Sequence, residues 1–102
     1  MINHALEHEK SYVEKALMEK ELYHLLVTKR GVNIVVYSED GRSKENRVRF
    51  TYIKPHLFVL NFASRSGKWE QTPFEGTLEE LIEMVLEQFP WTLTNYDDYG
   101  NN

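Results

Sequence analysis

The sequence predicts an α+β domain in which an N-terminal helix, a four-stranded antiparallel meander and a C-terminal amphipathic helix follow one another (α-β-β-β-β-α). Two stretches carry this prediction. Residues 77–89 show apolar side chains at helical spacing, and residues 47–62 contain runs with the two-residue period of strands. Because the helical stripe has to be buried, we expect the C-terminal helix to pack against one face of the sheet.

The composition indicates a single globular domain. The chain has 102 residues, of which 41% are hydrophobic and 27% charged, enough to bury one modest core. We expect this domain to span residues 1–94 and the polar residues 95–102 to form a flexible tail. The chain has no cysteine, which excludes disulfides, thiolate nucleophiles and thiolate metal sites.

The N-terminus and the hydropathy of the chain predict its location. Acidic residues occur early, and the apolar segment of a signal peptide is missing. No run approaches the roughly 18 apolar residues that a membrane helix needs. We therefore expect a cytoplasmic protein that does not enter the membrane.

The formal net charge of −4 conceals an uneven distribution along the chain. Residues 1–28 hold three basic and five acidic residues, and residues 29–68 hold nine basic and three acidic residues. Residues 69–102 hold eight acidic residues and no basic one. This distribution predicts either a fold that neutralises itself or a molecule with two faces of opposite sign, and the sequence leaves both open.

The N-terminal residues 2–29 have helical composition, rich in Ala, Leu, Met, Glu and Lys. A capping-box pattern at residues 11–14 predicts that a helix opens at Tyr12, and Gly31 is expected to end it. The apolar positions lie on two opposite sides of such a helix, so we expect a kink or two packing partners, such as the sheet and a second subunit. Alternatively, residues 23–28 leave the helix and pair as a strand, although the propensity of the preceding turns favours helix.

The first and last predicted strands flank the centre of the chain. Residues 32–38 are β-branched and aromatic and predict the first strand. The polar residues 39–46 contain an Asp-Gly turn signal, and we expect a mobile exposed loop that is too long for a two-residue hairpin. Residues 68–74 predict the fourth strand, with Pro73 at its end or at a sheet edge.

Residues 47–62 predict a central hairpin. The first half alternates, with Val48, Phe50 and Tyr52 on one side and polar side chains on the other, as in a strand with one solvated face. The second half, residues 56–62, is apolar on both sides and predicts a strand that is covered on both faces. Proline between the halves restricts the backbone, so we expect a tight reversal at residues 54–55.

Residues 77–89 form the clearest pattern in the chain. Thr77 and Glu80 predict a capping box, and Pro90 is expected to terminate the helix. Six apolar side chains share one stripe of this helix: Leu78, Leu81, Ile82, Val85, Leu86 and Phe89.

The N-terminal segment contains one pattern associated with metal chemistry. His4, Glu7 and His8 match H-x-x-E-H, in which two histidines one helical turn apart hold zinc and the glutamate activates water. Five letters match easily by chance, the third protein ligand is missing, and a terminal helix frays. We therefore expect a solvated helix end, with no metal or cofactor bound and no enzymatic activity.

The basic middle third supplies the candidate binding residues. We expect the loop at residues 39–46 and the turn at residues 64–67 to approach the same end of the sheet. The predicted binding patch consists of Arg42, Lys44, Arg47, Arg49, Arg65 and Lys68.

Two classes of function fit these features. The favoured hypothesis is a small protein-interaction module, acting as an adaptor, inhibitor or regulatory subunit, because the N-terminal segment has more apolar surface than one packing face can bury. The same surplus predicts a homodimer. The alternative is a sheet-based nucleic-acid-binding protein that uses the basic region 29–68, although the nearby aromatic residues Tyr37, Tyr52 and Trp69 alternate mostly with core residues and the acidic C-terminal third would repel phosphate unless it faces away.

Overall fold

The computed structural model of the chain describes residues 2–95, with side chains described from Leu6 onward. Of the predicted flexible tail at residues 95–102, residues 96–102 lie outside the described residues. The elements in chain order are α1 (Ile2–Glu19), β1 (Leu25–Arg30), β2 (Asn33–Asp40), β3 (Ser43–Lys54), β4 (Leu57–Ala63), β5 (Trp69–Gly76), α2 (Leu78–Gln88) and a short 3-10 helix (Pro90–Leu93).

The five strands form one antiparallel sheet in the order β1-β2-β3-β4-β5. The α+β class and the meander are therefore confirmed, with one strand more than the four predicted. Three of the four reversals are two-residue turns, at residues 31–32, 41–42 and 55–56. Gly31 and Gly41 have φ angles of 58° and 62° there, a conformation that glycine adopts without steric cost.

The additional strand corrects the favoured helix over residues 2–29 and agrees with the alternative in which residues 23–28 leave the helix and pair as a strand. α1 ends at Glu19, and Glu21 adopts a φ of 60° just beyond it. The amide of Leu22 donates to the carbonyl of Leu17 at 3.0 Å, and the amide of Glu21 donates to that of Met18 at 2.9 Å. These two bonds form a Schellman motif, which closes a helix. Glycine usually occupies the position of Glu21, so the sequence lacks the usual stop signal.

Two further local predictions were wrong. The capping-box pattern at residues 11–14 lies inside a continuous α1 and does not open a helix at Tyr12. The predicted loop at residues 39–46 is instead the end of a β2–β3 hairpin, in which Asp40 pairs with Ser43 around a two-residue turn. The polar side chains of that segment mark an exposed hairpin, and strand pairing continues because the backbone bonds do not depend on side-chain polarity.

Both helices pack on the same face of the sheet, which we call the covered face. α1 contributes Leu6, Val13 and Leu17 to a single hydrophobic core, and α2 contributes four buried side chains to the same core. The sheet contributes alternating residues that face the helices: Leu25, Val27, Ile34, Val36, Val48, Phe50, Phe58 and Leu60. No helix of the described residues is long and apolar enough to cross a membrane.

The opposite side of the sheet, which we call the open face, carries no helix. β4 was predicted to be covered on both sides, but Leu57, Val59 and Ala63 point to the open face and are only half-buried. Neighbouring side chains in the sheet reduce their exposure. β5 is an edge strand, as predicted from Pro73, which lies where the β4–β5 register shifts between Val59 and Asn61.

The C-terminal helix is confirmed. Thr77 accepts a hydrogen bond from the amide of Glu80 at 3.1 Å, and the Glu80 carboxylate accepts one from the amide of Thr77 at 2.9 Å. This is the predicted capping box. α2 ends at Gln88, and Pro90 begins the 3-10 helix.

Candidate functional site

A groove of about 480 Å³ separates α1 from α2 on the outer side of the covered face. The two helices lie on the same face of the sheet and contact each other little. The floor is apolar and comes from both helices, the segment after α1 and the 3-10 helix: Ala16, Leu22, Ile82, Leu86 and Leu93.

Carboxylates line the rim of this groove. Glu79, Glu83 and Glu87 project from α2 at four-residue spacing, and Glu19 projects from the end of α1. None of these four forms an ion pair with another described residue. Among the described residues that line the groove, Lys20 alone is basic. The groove therefore combines an apolar floor with a negative, uncompensated rim.

The pKa of Tyr12 responds to the carboxylates of the groove as well as to burial. Its phenol lies in the groove wall and is 42% exposed. Partial burial and the carboxylates of Glu79, Glu19 and Glu83 raise the pKa of Tyr12 above its ordinary value. Both causes disfavour the negative phenolate, which is the behaviour expected beside a cluster of unpaired carboxylates.

The structure separates Arg47 from the rest of the predicted basic patch. Arg47 is only 4% exposed and turns toward the covered face. Its Nη1 donates to the carbonyls of Thr92 at 3.0 Å and Thr94 at 2.8 Å, and its Nη2 donates to Ser38 Oγ at 2.9 Å. Arg47 therefore binds the segment that follows α2 to the sheet, and its guanidinium points away from the open face.

A β-bulge explains this orientation. Val36 pairs with Val48 and Tyr37 pairs with Asn46, so Arg47 has no partner on β2. The extra residue in the strand shifts the alternation of side chains, which directs Arg47 to the same side as Val48. A strict two-residue period, as assumed from the sequence, places Arg47 beside Arg49 on the other face.

The remaining patch residues lie on the open face or at one end of it. The guanidinium of Arg49 stacks over the Trp69 ring at 4.8 Å, and Lys44 Nζ lies 4.4 Å from the centre of the Tyr37 ring. Three exposed residues occupy the turns at this end: Arg42, Arg65 and Lys68.

The β2–β3 hairpin and the β4–β5 turn approach the same end of the sheet, as the sequence predicted. A depression of about 500 Å³ lies between them. Its lining combines two basic side chains and one acidic side chain with amide, hydroxyl and small residues from both segments: Lys44, Arg65, Glu45, Asn46, Ser64, Ala63 and Gly67.

Asn61 is a site residue that the sequence analysis missed. It points to the open face yet is only 2% exposed. Its Oδ1 accepts from Arg49 Nε at 3.3 Å, Arg49 Nη2 at 3.2 Å and Thr51 Oγ1 at 3.4 Å, while its Nδ2 donates to Gln71 Oε1 at 3.4 Å. A polar residue inside the apolar run of β4 was the available signal, because a buried amide needs hydrogen-bond partners.

The histidine pattern near the N-terminus is not assembled into a described cluster. Glu7 is exposed and pairs with Lys29 of β1 at 2.9 Å, and His8 is exposed. The side chain of His4 lies outside the described residues. Among the described side chains, no three His, Asp or Glu residues come together in a way that could hold a metal ion.

An apolar patch beside the edge strand β1 bears on self-association. Met18, Tyr23 and Leu26 are exposed next to the unpaired edge of this strand. These residues account for much of the surplus apolar surface from which a homodimer was predicted. The homodimer stays a prediction, which light scattering at high protein concentration tests.

No family model, curated protein or solved structure matches the chain. The functional interpretation therefore depends on the geometry of the groove and of the open face.

Proposed function

We propose that the protein is a non-catalytic interaction module whose groove binds a basic amphipathic helix of a partner protein. The groove between α1 and α2 supports this proposal by joining an apolar floor to a rim of carboxylates that have no ion-pair partner among the described residues. An amphipathic helix laid into an apolar groove is a recurring mode of peptide recognition. The rim determines the sign of charge that such a helix carries beside its apolar face.

The spacing of the rim defines the partner further. Glu79, Glu83 and Glu87 follow one another at intervals of four residues, so they are about 6 Å apart along the axis of α2. A partner helix that lies along α2 presents cations at the same interval when Lys or Arg recurs every four residues. Its apolar side chains then face Ile82 and Leu86 on the floor.

The apolar and charged parts of the groove contribute differently. Burial of leucine-sized side chains supplies affinity, at about 25 cal/mol per Å² of apolar surface removed from water. Pairs at a solvated rim are worth roughly 0.2–1 kcal/mol each and mainly select the partner and speed its association. We therefore expect modest affinity with clear dependence on charge and salt.

A peptide titration tests this function. The probe is a peptide of about 18 residues with leucines on one helical face and lysines on the flanks, and the comparison peptide carries glutamate in place of lysine. Isothermal titration calorimetry should show binding of the lysine peptide alone, weakening as salt is raised from about 50 to 300 mM.

Charge reversal locates the binding site. Glu83→Lys combined with Glu87→Lys should weaken binding of the lysine peptide about tenfold or more, because two attractions become repulsions. The matched control is Glu39→Lys combined with Glu75→Lys, which makes the same change in net charge away from the groove. An equal loss in both double variants, or no loss in the groove variant, contradicts the proposal.

A further inference from the structure

The open face differs in sign from the groove on the other side of the molecule. Lys44 and Arg49 project from the open face, and Arg65 and Lys68 lie in the turn at its end. Two carboxylates share this face, Glu39 beside Lys44 on the hairpin and Glu75 on β5, whereas the four glutamates of α2 lie on the opposite side of the sheet. Negative net charge therefore does not prevent an anion from approaching the open face.

Arg49 is a cation without an acidic partner at the centre of this face. No described carboxylate forms an ion pair with it. Burial lowers the pKa of the Arg49 guanidinium, which nevertheless remains charged. The side chain of Asn61 accepts hydrogen bonds from Nε and Nη2 of Arg49, whereas Nη1 of Arg49 makes no hydrogen bond to a described residue. The guanidinium is thus oriented by a neutral amide, with donors left for an anion.

Two aromatic rings lie beside the depression at this end of the face without lining it, because Tyr37 is the register partner of Asn46 and Trp69 is the register partner of Ala63. Tyr37 on β2 and Trp69 on β5 are separated by three strand spacings, about 14 Å. Ala63 lies between them and leaves the floor of the depression open. Its volume falls within the roughly 300–1,000 Å³ typical of small-molecule sites, which is sufficient for a nucleotide.

We propose that the open face binds single-stranded nucleic acid. Arg49, Lys44 and Arg65 contact the phosphates, and bases occupy the depression between Tyr37 and Trp69. A guanidinium stacked on an aromatic ring presents a flat, charged surface on which a base can stack in turn. This site is independent of the groove between the helices, so either proposal can fail without the other.

The aromatic rings favour nucleic acid over an acidic peptide. Both ligands offer negative charge to the cations, but only the nucleic acid also offers flat rings that stack on the guanidinium of Arg49, which itself lies over Trp69. The face is also only one layer of a twisted sheet with side chains of mixed height, so it does not present the projecting helix that reads a duplex groove. An extended single strand fits it better.

The first experiment measures binding and stacking together. The probe is a fluorescein-labelled oligothymidylate of about 12 nucleotides, followed by anisotropy from about 50 to 300 mM salt. With about three phosphate contacts, the logarithm of the association constant should fall with the logarithm of salt at a slope near −2. Unlabelled oligothymidylate should quench tryptophan emission in a Trp91→Phe variant, in which Trp69 is the remaining tryptophan.

The second experiment neutralises Arg49 without removing it. Asn61→Asp places a carboxylate at the atom that already accepts from Arg49, at nearly unchanged volume. We expect binding of the oligonucleotide to weaken roughly tenfold or more, while thermal unfolding shows a folded protein. Lys44→Gln makes a second test on the same face, because Lys44 makes no hydrogen bond to Asn61 and can be replaced without disturbing the hydrogen bonds of Asn61. The matched control is Lys15→Gln on the exposed side of α1, with the same change in net charge and unchanged affinity expected.

The outcomes distinguish the sources of binding. Loss of affinity in Asn61→Asp and Lys44→Gln, together with quenching of Trp69, supports the proposal. Equal affinity for polyglutamate of the same charge indicates a general polyanion site or an acidic protein partner and overturns it. Unchanged affinity in both variants, quenching of Trp91 alone, or no binding at low salt also overturns it.

Discussion

The two faces of the sheet use the same backbone for different purposes, and two arginines of β3 show the difference most directly. Arg47 lies on the covered face and donates to the carbonyls of Thr92 and Thr94. Arg49, two residues further along, lies on the open face and stacks on Trp69. One arginine is used by the fold, and the other remains accessible to a ligand. Residue type and spacing alone do not separate these roles, because a single bulge decides them.

Burial by itself does not distinguish the faces either. Asn61 on the open face is as buried as Phe50 on the covered face, each at 2% exposed. Phe50 is covered by helices, whereas Asn61 is surrounded by neighbouring side chains of the same sheet and satisfied by hydrogen bonds. The covered face gains stability from apolar packing, and the open face gains a fixed arrangement of polar groups.

The largest expected effect is a core truncation on the covered face. Phe50→Ala should lower the free energy of unfolding by about 3–5 kcal/mol, because it removes a fully buried ring beneath both helices and leaves a cavity. Val59→Ala on the open face is the comparison and should cost about 1 kcal/mol, because Val59 is only half-buried. Urea unfolding followed by circular dichroism measures both. Equal losses contradict the distinction between the faces.

The next largest effect is the difference in stability between variants of Arg47 and Arg49. Arg47→Met should cost about 2–4 kcal/mol, because the carbonyls of Thr92 and Thr94 lose a buried charged donor. Arg49→Met should cost about 1 kcal/mol or less, because Asn61 keeps the bond from Thr51 and water reaches the open face.

Thermal and urea unfolding of the two methionine variants measure this difference in stability. Oligonucleotide binding should rank the two variants in the reverse order. Arg49→Met should lose binding, whereas folded Arg47→Met should retain it. A larger stability loss in Arg49→Met than in Arg47→Met shows that Arg49 serves the fold and contradicts its role in binding.

Elements with several agreeing local sequence signals were predicted closely, whereas elements with weak or conflicting signals were not. α2 was predicted closely, because a capping box, one apolar stripe and Pro90 all agree. β1 was predicted only as the less favoured alternative to a helix over residues 23–28, because its apolar residues suit both periods and the helix before it ends with Glu21 where glycine is usual. The two-residue turn at Gly41 was missed because polar strand ends have the composition of a loop.

The candidate sites were predictable only in part. The sequence placed Lys44 and Arg65 at one end of the sheet, because strand order in a meander follows chain order. It placed Arg47 wrongly, since a bulge has no signal here in residue type. The groove was not predicted as a groove, because its two walls come from helices that are more than 50 residues apart in sequence and meet only after packing. The acidic stripe of α2 alone is typical of any solvated helix face.

The smallest expected effect is a loss of stability at high pH, and it concerns the acidic groove on the covered side of the sheet. The folded protein raises the pKa of Tyr12, through partial burial and the carboxylates of Glu79, Glu19 and Glu83. Its contribution to stability is therefore complete below the unfolded value near 10 and is lost as pH rises through the higher folded value. Wild-type protein should lose slightly more stability above pH ~10 than Tyr12→Phe, which has no phenol to ionise.

Nuclear magnetic resonance of the Tyr12 ring carbon measures the same effect directly. Glu79→Gln combined with Glu83→Gln should move the pKa of Tyr12 part of the way back toward its ordinary value, because burial remains as the larger cause. Glu39→Gln combined with Glu75→Gln removes the same charge from the open face and should leave the pKa of Tyr12 unchanged. Equal shifts in both pairs mean that Tyr12 senses net charge alone, in which case the rim of the groove has no local negative field with which to select a basic partner.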